Sequence, residues 1–216
     1  GPYLLGSIVH HMILDPRDSK TILMAAQTKT HGPMIFKSTD FGMNWVPVKS
    51  PPKFSTSKKV AHIYRLTPGH ESEVNVWYAG TSPQGLFKSE DFGDSWQEVS
   101  GFNNHPQIDK WCGNSVSSTL KYEKIHSIMV HPQNTCSLII GMASGGVFES
   151  MDGGESWTSM NEGLLTTEIK DSLGRDPHLV VQHPMDPSRI YQQNQSGIFR
   201  LDVGSRIWKH IGAGID

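Results

Sequence analysis

The chain has 216 residues with 19 Lys+Arg against 21 Asp+Glu, so its net charge of −2 offers no basic surface for nucleic acid and no reason to expect a membrane partner. Its two cysteines, Cys112 and Cys136, lack CxxC spacing, which excludes a thiolate zinc motif and a disulfide framework, and no apolar run of about 18 residues is present to span a bilayer. Only 36 % of residues are hydrophobic while Gly and Pro number 21 and 13, the composition of many short strands joined by turns.

Residues 8–50 introduce two markers that then recur. VHHMILDP ends at Pro16 with His10 six positions before it, and STDFGMNW (38–45) follows Phe36 and closes on Trp45. Residues 60–100 repeat both, as AHIYRLTP with His62 and Pro68, then Phe87, SEDFGDSW (89–96) and Trp96. The connection that follows is longer than the others, with 30 positions from Trp96 to His126 against 17 and 21 elsewhere. It carries Trp111, Cys112 and Asn114, and an aromatic on a long loop is a candidate sugar-stacking or lid element.

In residues 124–160, IHSIMVHP supplies His126 and Pro132, and SMDGGESW (150–157) follows Phe148. IHSIMV, SLIIGMA, GGVFESM and SWTSM read as four strands separated by turn residues. Residues 176–212 hold the last unit, with GRDPH (174–178) leading into PHLVVQHP, His178 and Pro184. Here the turn has decayed to RLDVGSRIW, yet Phe199 still precedes Trp208 by nine. The Phe intervals are 51, 61 and 51 and the His intervals 52, 64 and 52, so two rulers agree on four repeats. Four strands per repeat predict an all-β fold of four-stranded antiparallel blades, a β-propeller, since one such sheet cannot bury both faces alone.

The three intact Ser-x-Asp-x-Gly-x-x-Trp stretches resemble the Asp-box, or BNR, repeat of sialidase-like propellers. GGVFESMDGGESW and SPQGLFKSEDFGDSW are similar to bacterial glycosyl-hydrolase-like BNR proteins. The box is expected to be structural: its Asp accepts backbone N–H groups across the strand C to strand D hairpin, and its Gly supplies φ > 0. Propellers usually bind ligands on the other end, where the D–A and B–C loops lie.

That end defines the candidate residues. His10, His62, His126 and His178, at the starts of the axial strands, either bond their own blades or form a ring for a small polar, anionic or carbohydrate ligand, or for a divalent transition metal. Asp176 is the candidate acid–base residue, with Arg175 beside it, and Trp111, Gln193 and Asn194 are further candidate ligand contacts. The exo-sialidases of the resembled family clamp a carboxylate with three arginines. Of the six arginines here only Arg175 and Arg65 are placed to face a ligand, so sialidase activity is not expected. The open functional readings are a ligand-binding propeller, a glycoside hydrolase or lyase, and a protein-interaction scaffold. A homodimer completing a larger ring and a cytoplasmic location are the remaining expectations.

Overall fold

The computed structural model describes residues 5–111, 123–164 and 176–212. They form four four-stranded antiparallel sheets, each built from consecutive strands. The first holds β1 (Ile8–Leu14), β2 (Ile22–Thr28), β3 (Gly32–Ser38) and β4 (Val46–Pro47). The second holds β5 (His62–Pro68), β6 (Trp77–Ser82), β7 (Gly85–Ser89) and β8 (Gln97–Glu98). After two short helices, α1 (Ser100–Asn103) and α2 (Ile108–Trp111), come β9 (Ile125–His131), β10 (Asn134–Met142), β11 (Gly146–Ser150) and β12 (Thr158–Ser159). The last sheet is β13 (Leu179–His183), β14 (Asp186–Asn194), β15 (Gly197–Asp202) and β16 (Trp208–His210).

In the second blade, which has a neighbour on each side, the second strand β6, WYAGTS, is buried throughout. The fourth strands are two or three residues long, which keeps the outer edges too short to template pairing with other chains. Three mixed cores join successive sheets. Leu23, Ile35 and Val48 of the first pack on Leu66, Phe87 and Trp96 of the second. Tyr78, Leu86 and Phe102 pack on Ile128, Phe148 and Trp157, and Ile139, Val147 and Met160 pack on Val180, Phe199 and Trp208. Among the described residues no such core joins the fourth sheet to the first. The four blades form an open arc, with β1, β5, β9 and β13 in neighbouring order along its inner side.

The repeated turns have one geometry. In the third blade the Ser150 hydroxyl donates to Asp152 Oδ1 (2.8 Å) and accepts from the Gly154 amide (2.8 Å). The Asp152 carboxylate also accepts the amide and hydroxyl of Ser156, at 2.9 and 2.5 Å. Those bonds, led by the Ser156 hydroxyl, lower the Asp152 pKa to about 2. Two consecutive left-handed residues make the turn, Phe92 and Gly93 in the second blade (φ 62 and 81). The tryptophan then donates its Nε1–H to the glycine carbonyl at 3.0 Å. Both oxygens of the carboxylate take part in holding the hairpin.

Candidate functional site

The D–A and B–C connections share one end of the arc, where the Ala143 amide donates to Lys124 O, and Lys58 Nζ donates to Gln84 O (2.8 Å). At this end each of the first three inner strands carries a one-residue bulge, which leaves a side chain out of the ladder and re-aims it. In β1 the pairing jumps from Val9↔Ala26 to His11↔Ala25, so His10 is extra. In β5 it jumps from Ile63 to Arg65, leaving Tyr64, and in β9 from Ser127 to Ile125, leaving His126.

The pairing corrects the register read from the prolines. Met12, Leu66, Ile128 and Val180 are equivalent, because they oppose Met24, Ala79, Ile140 and Gln192, which in turn oppose the four repeat phenylalanines. Two residues before each stand His10, Tyr64, His126 and His178. His62 is two positions further back, so the repeated position holds three histidines and a tyrosine. The proline marker slipped because β5 runs on to Pro68, paired with Trp77, whereas β1 ends two residues before Pro16.

His10, His62 and Tyr64 nonetheless form one cluster. His10 Nε2 lies 3.1 Å from His62 Nδ1, the two rings are 4.8 Å apart edge to face, and Tyr64 lies 5.0 Å from His10 and 5.6 Å from His62. Lys124 Nζ caps the Tyr64 ring at 4.7 Å from its centre, a cation–π contact. Burial, then His62 and Lys124, lower the His10 pKa. His126 is set deeper, with Nδ1 2.9 Å from Ser127 Oγ. Burial first and Lys124 next lower its pKa to about 4, and its Nε2 is buried with no partner among the described residues. His178 is exposed, with Gln193 Nε2 3.4 Å from its Nδ1.

The expected four-imidazole metal ring does not converge. Among the described residues no three metal-capable side chains gather at one point. His10 and His62 meet each other, while His126 lies against Ser127 and His178 beside Gln193.

The other candidates divide. The Asp176 carboxylate accepts the Ser144 amide at 2.9 Å, bracing the left-handed turn there (Ser144 φ 64). Trp111 stacks on His105 (4.0 Å) and lies 4.4 Å from Phe148, so it anchors the α2 segment on the third blade with both faces engaged. Gln193 stands beside His178, whereas Asn194 is buried and accepts the Ser196 amide at 2.7 Å, a turn bond. Arg175, Cys112 and Asn114 lie outside the described residues. Arg17 lies between the first two blades, on Asp15 and the carbonyls of Glu73 and Val76. Arg65 reaches His11 at 3.3 Å, Arg189 and Arg200 pair with Asp202, and Arg206 pairs with Glu149. No three of these share a pocket.

Sequence reasoning missed Tyr64 and Lys124; the aromatic in an otherwise aliphatic strand pattern, IYRL, was the available signal. Glu123 is a further carboxyl, its pKa raised by burial, with Lys58 opposing and Asp109 pushing the same way. Clefts also lie at the opposite end. One of about 430 Å³ is lined by Glu90, Asp91, Glu98 and Glu155 with Lys88. Its Asp91 is consumed by the turn and its Glu98 binds Asn103, so concavity there reflects blade stacking. At the axial end the wall of the arc is open on one side.

No protein-family model matches the chain. Over 217 aligned positions it is 23 % identical to a xyloglucanase from a Paenibacillus species, covering 94 % of this chain and 21 % of the relative. Among solved structures it resembles the GH74 xyloglucanase of Xanthomonas campestris (TM-score 0.69, 17 % identity, 99 % of this chain and 31 % of that one). It also resembles the GH74 enzyme of Niastella koreensis (TM-score 0.64, 19 % identity, 96 % and 30 %). The chain therefore spans under a third of the length of these relatives. The likeness shows the fold: a β-propeller arc of four blades, with carbohydrate-active propellers among its neighbours.

Proposed function

We propose that the chain is a carbohydrate-binding propeller portion of Asp-box type, with its ligand on the axial end formed by His10, His62, Tyr64 and Lys124. The observation that carries this reading is the cluster itself. Two imidazoles, a phenol and one ammonium present donors, acceptors and an aromatic edge side by side, the mixture that suits a ring of hydroxyls. The likeness to xyloglucanases supports a plant-polysaccharide fragment as the first ligand to try. The turn geometry, identical in three blades, supports the Asp-box assignment.

Calorimetric titration with xyloglucan oligosaccharides tests it. Binding that Tyr64→Ala weakens about tenfold or more supports the reading; no binding to these or to a panel of neutral and acidic glycans overturns it.

A glycoside hydrolase is the second reading, favoured by one feature. Glu123 is a half-buried carboxyl at the same end with its pKa raised by burial, and a second carboxyl, Asp109, pushes it the same way. Such a pair can divide acid and base roles. Release of reducing ends from xyloglucan, lost in Glu123→Gln, would establish it, and binding without turnover would leave the first reading alone.

A further inference from the structure

The tip of each repeated turn holds a side chain that the hairpin does not need. In the third blade the position is Gly153, in the left-handed region (φ 74), and a Cβ placed there meets no atom within 4 Å. In the second blade it is Phe92, held at φ 62 and 55 % exposed. A bulky aromatic is strained in that region, and a ring turned to water adds the cost of its hydration. The second blade has a neighbour on each side, so this exposure belongs to the turn itself.

Phe92 lines a cleft of about 340 Å³ between the first two blades, at the end opposite the histidines. The remaining apolar lining is Val74, half-exposed, and Trp77, fully buried with the Arg17 guanidinium over its ring at 5.1 Å. Asp18, Thr21 and Thr39 add oxygens beside them. The Phe92 backbone is pinned on both sides, its amide donating to Asn75 O at 2.8 Å and its carbonyl accepting Lys37 Nζ at 3.3 Å. The aromatic platform is therefore in place before a ligand arrives.

The charges of the cleft are settled internally. Arg17 pairs with Asp15 at 2.8 Å, both side chains more than nine-tenths buried, and Lys37 pairs with Asp94. Asp91 holds its turn, and Asp18 accepts the Thr21 hydroxyl at 2.7 Å and the Lys20 amide at 3.1 Å. Four aspartates against one arginine and one lysine disfavour an anion. Each of the four already has a donor, so none calls for a cation.

We propose that this cleft is a second ligand site, distinct from the axial end and not resting on it, where a neutral saccharide stacks on Phe92. A pyranose ring has the matching chemistry, a C–H face for the aromatic and a rim of hydroxyls for the oxygens of Asp18, Thr21 and Thr39. The volume lies at the lower end of the roughly 300–1,000 Å³ of small-molecule sites, which suits a short saccharide.

Calorimetric titration of the full 216-residue chain carrying Tyr64→Ala, which silences the axial end, tests the proposal. The probes are cellotetraose and xyloglucan heptasaccharide, with trigalacturonate as the charged comparator. One neutral probe should still bind, trigalacturonate should bind at least tenfold more weakly, and adding Phe92→Gly should weaken the neutral probe about tenfold or more. Glycine is the third blade's own choice at this position, so the thermal midpoint should stay within about 3 °C. Phe92→Tyr, which keeps the aromatic face, should retain binding. Saccharide binding that Phe92→Gly leaves unchanged overturns the proposal, as does trigalacturonate binding equal to that of the neutral probes. Binding abolished by Tyr64→Ala alone overturns it too, while leaving the axial reading in place. No saccharide binding by the wild-type chain overturns both.

Discussion

His126 links the axial end to stability in a way that pH can expose. Its pKa lies at about 4 in the folded chain against 6.5 ordinarily, so between those values the unfolded chain takes up a proton that the folded chain refuses. Stability therefore falls as pH drops below about 6.5 and stops falling on this account once the folded imidazole titrates near 4. From pH 7.5 to 5 the difference in proton uptake corresponds to about 2 kcal/mol. His11, lowered to about 4 by burial and then by Arg65, acts in the same direction, with a smaller effect because solvent reaches much of it. Replacing His126 by Gln removes its share while keeping a partner for Ser127. Urea unfolding followed by tryptophan fluorescence should show the wild-type midpoint dropping by about 1 M more than the variant's over that pH range, for a slope near 2 kcal/mol per M. Measurements stay above pH 5, where carboxylates contribute little. Equal pH slopes in the two proteins, or an imidazolium signal from His126 in the folded protein at pH 5, would refute the reasoning.

Other consequences can be checked by similar means. Asp152→Ala should cost about 1 kcal/mol at neutral pH in thermal melts, for the hydrogen bonds that its carboxylate collects. Because the folded Asp152 pKa lies at about 2, that advantage holds above about 4 and fades between 4 and 2, so the variant should show a flatter acid limb. Glycan binding should not change, as the turn lies at the opposite end. Gly80→Ala would place a methyl 2.6 Å from Ile125 O and 2.8 Å from its Cγ2, where the second and third blades touch, and should cost about 1–3 kcal/mol. The equivalent Ala25 already carries that methyl, so Ala25→Gly should cost about 1 kcal/mol or less by comparison, and a reversed order would contradict the packing described.

What lay open in the amino-acid sequence was whatever a few neighbouring residues decide. A carboxylate two positions after a serine, a glycine in the left-handed region and a tryptophan three residues on specify the hairpin by local hydrogen bonds. Their recurrence gave four blades, sixteen strands and the end of the molecule each loop would occupy. The register of the inner strands was not local. Bulges at His10, Tyr64 and His126 exist because each strand must match a partner and a neighbouring blade at once, and that joint demand moved the repeated position in the second blade from His62 to Tyr64. Tertiary packing also supplied partners that the sequence does not show, the Ser144 amide on Asp176 and the His105 and Phe148 rings against Trp111.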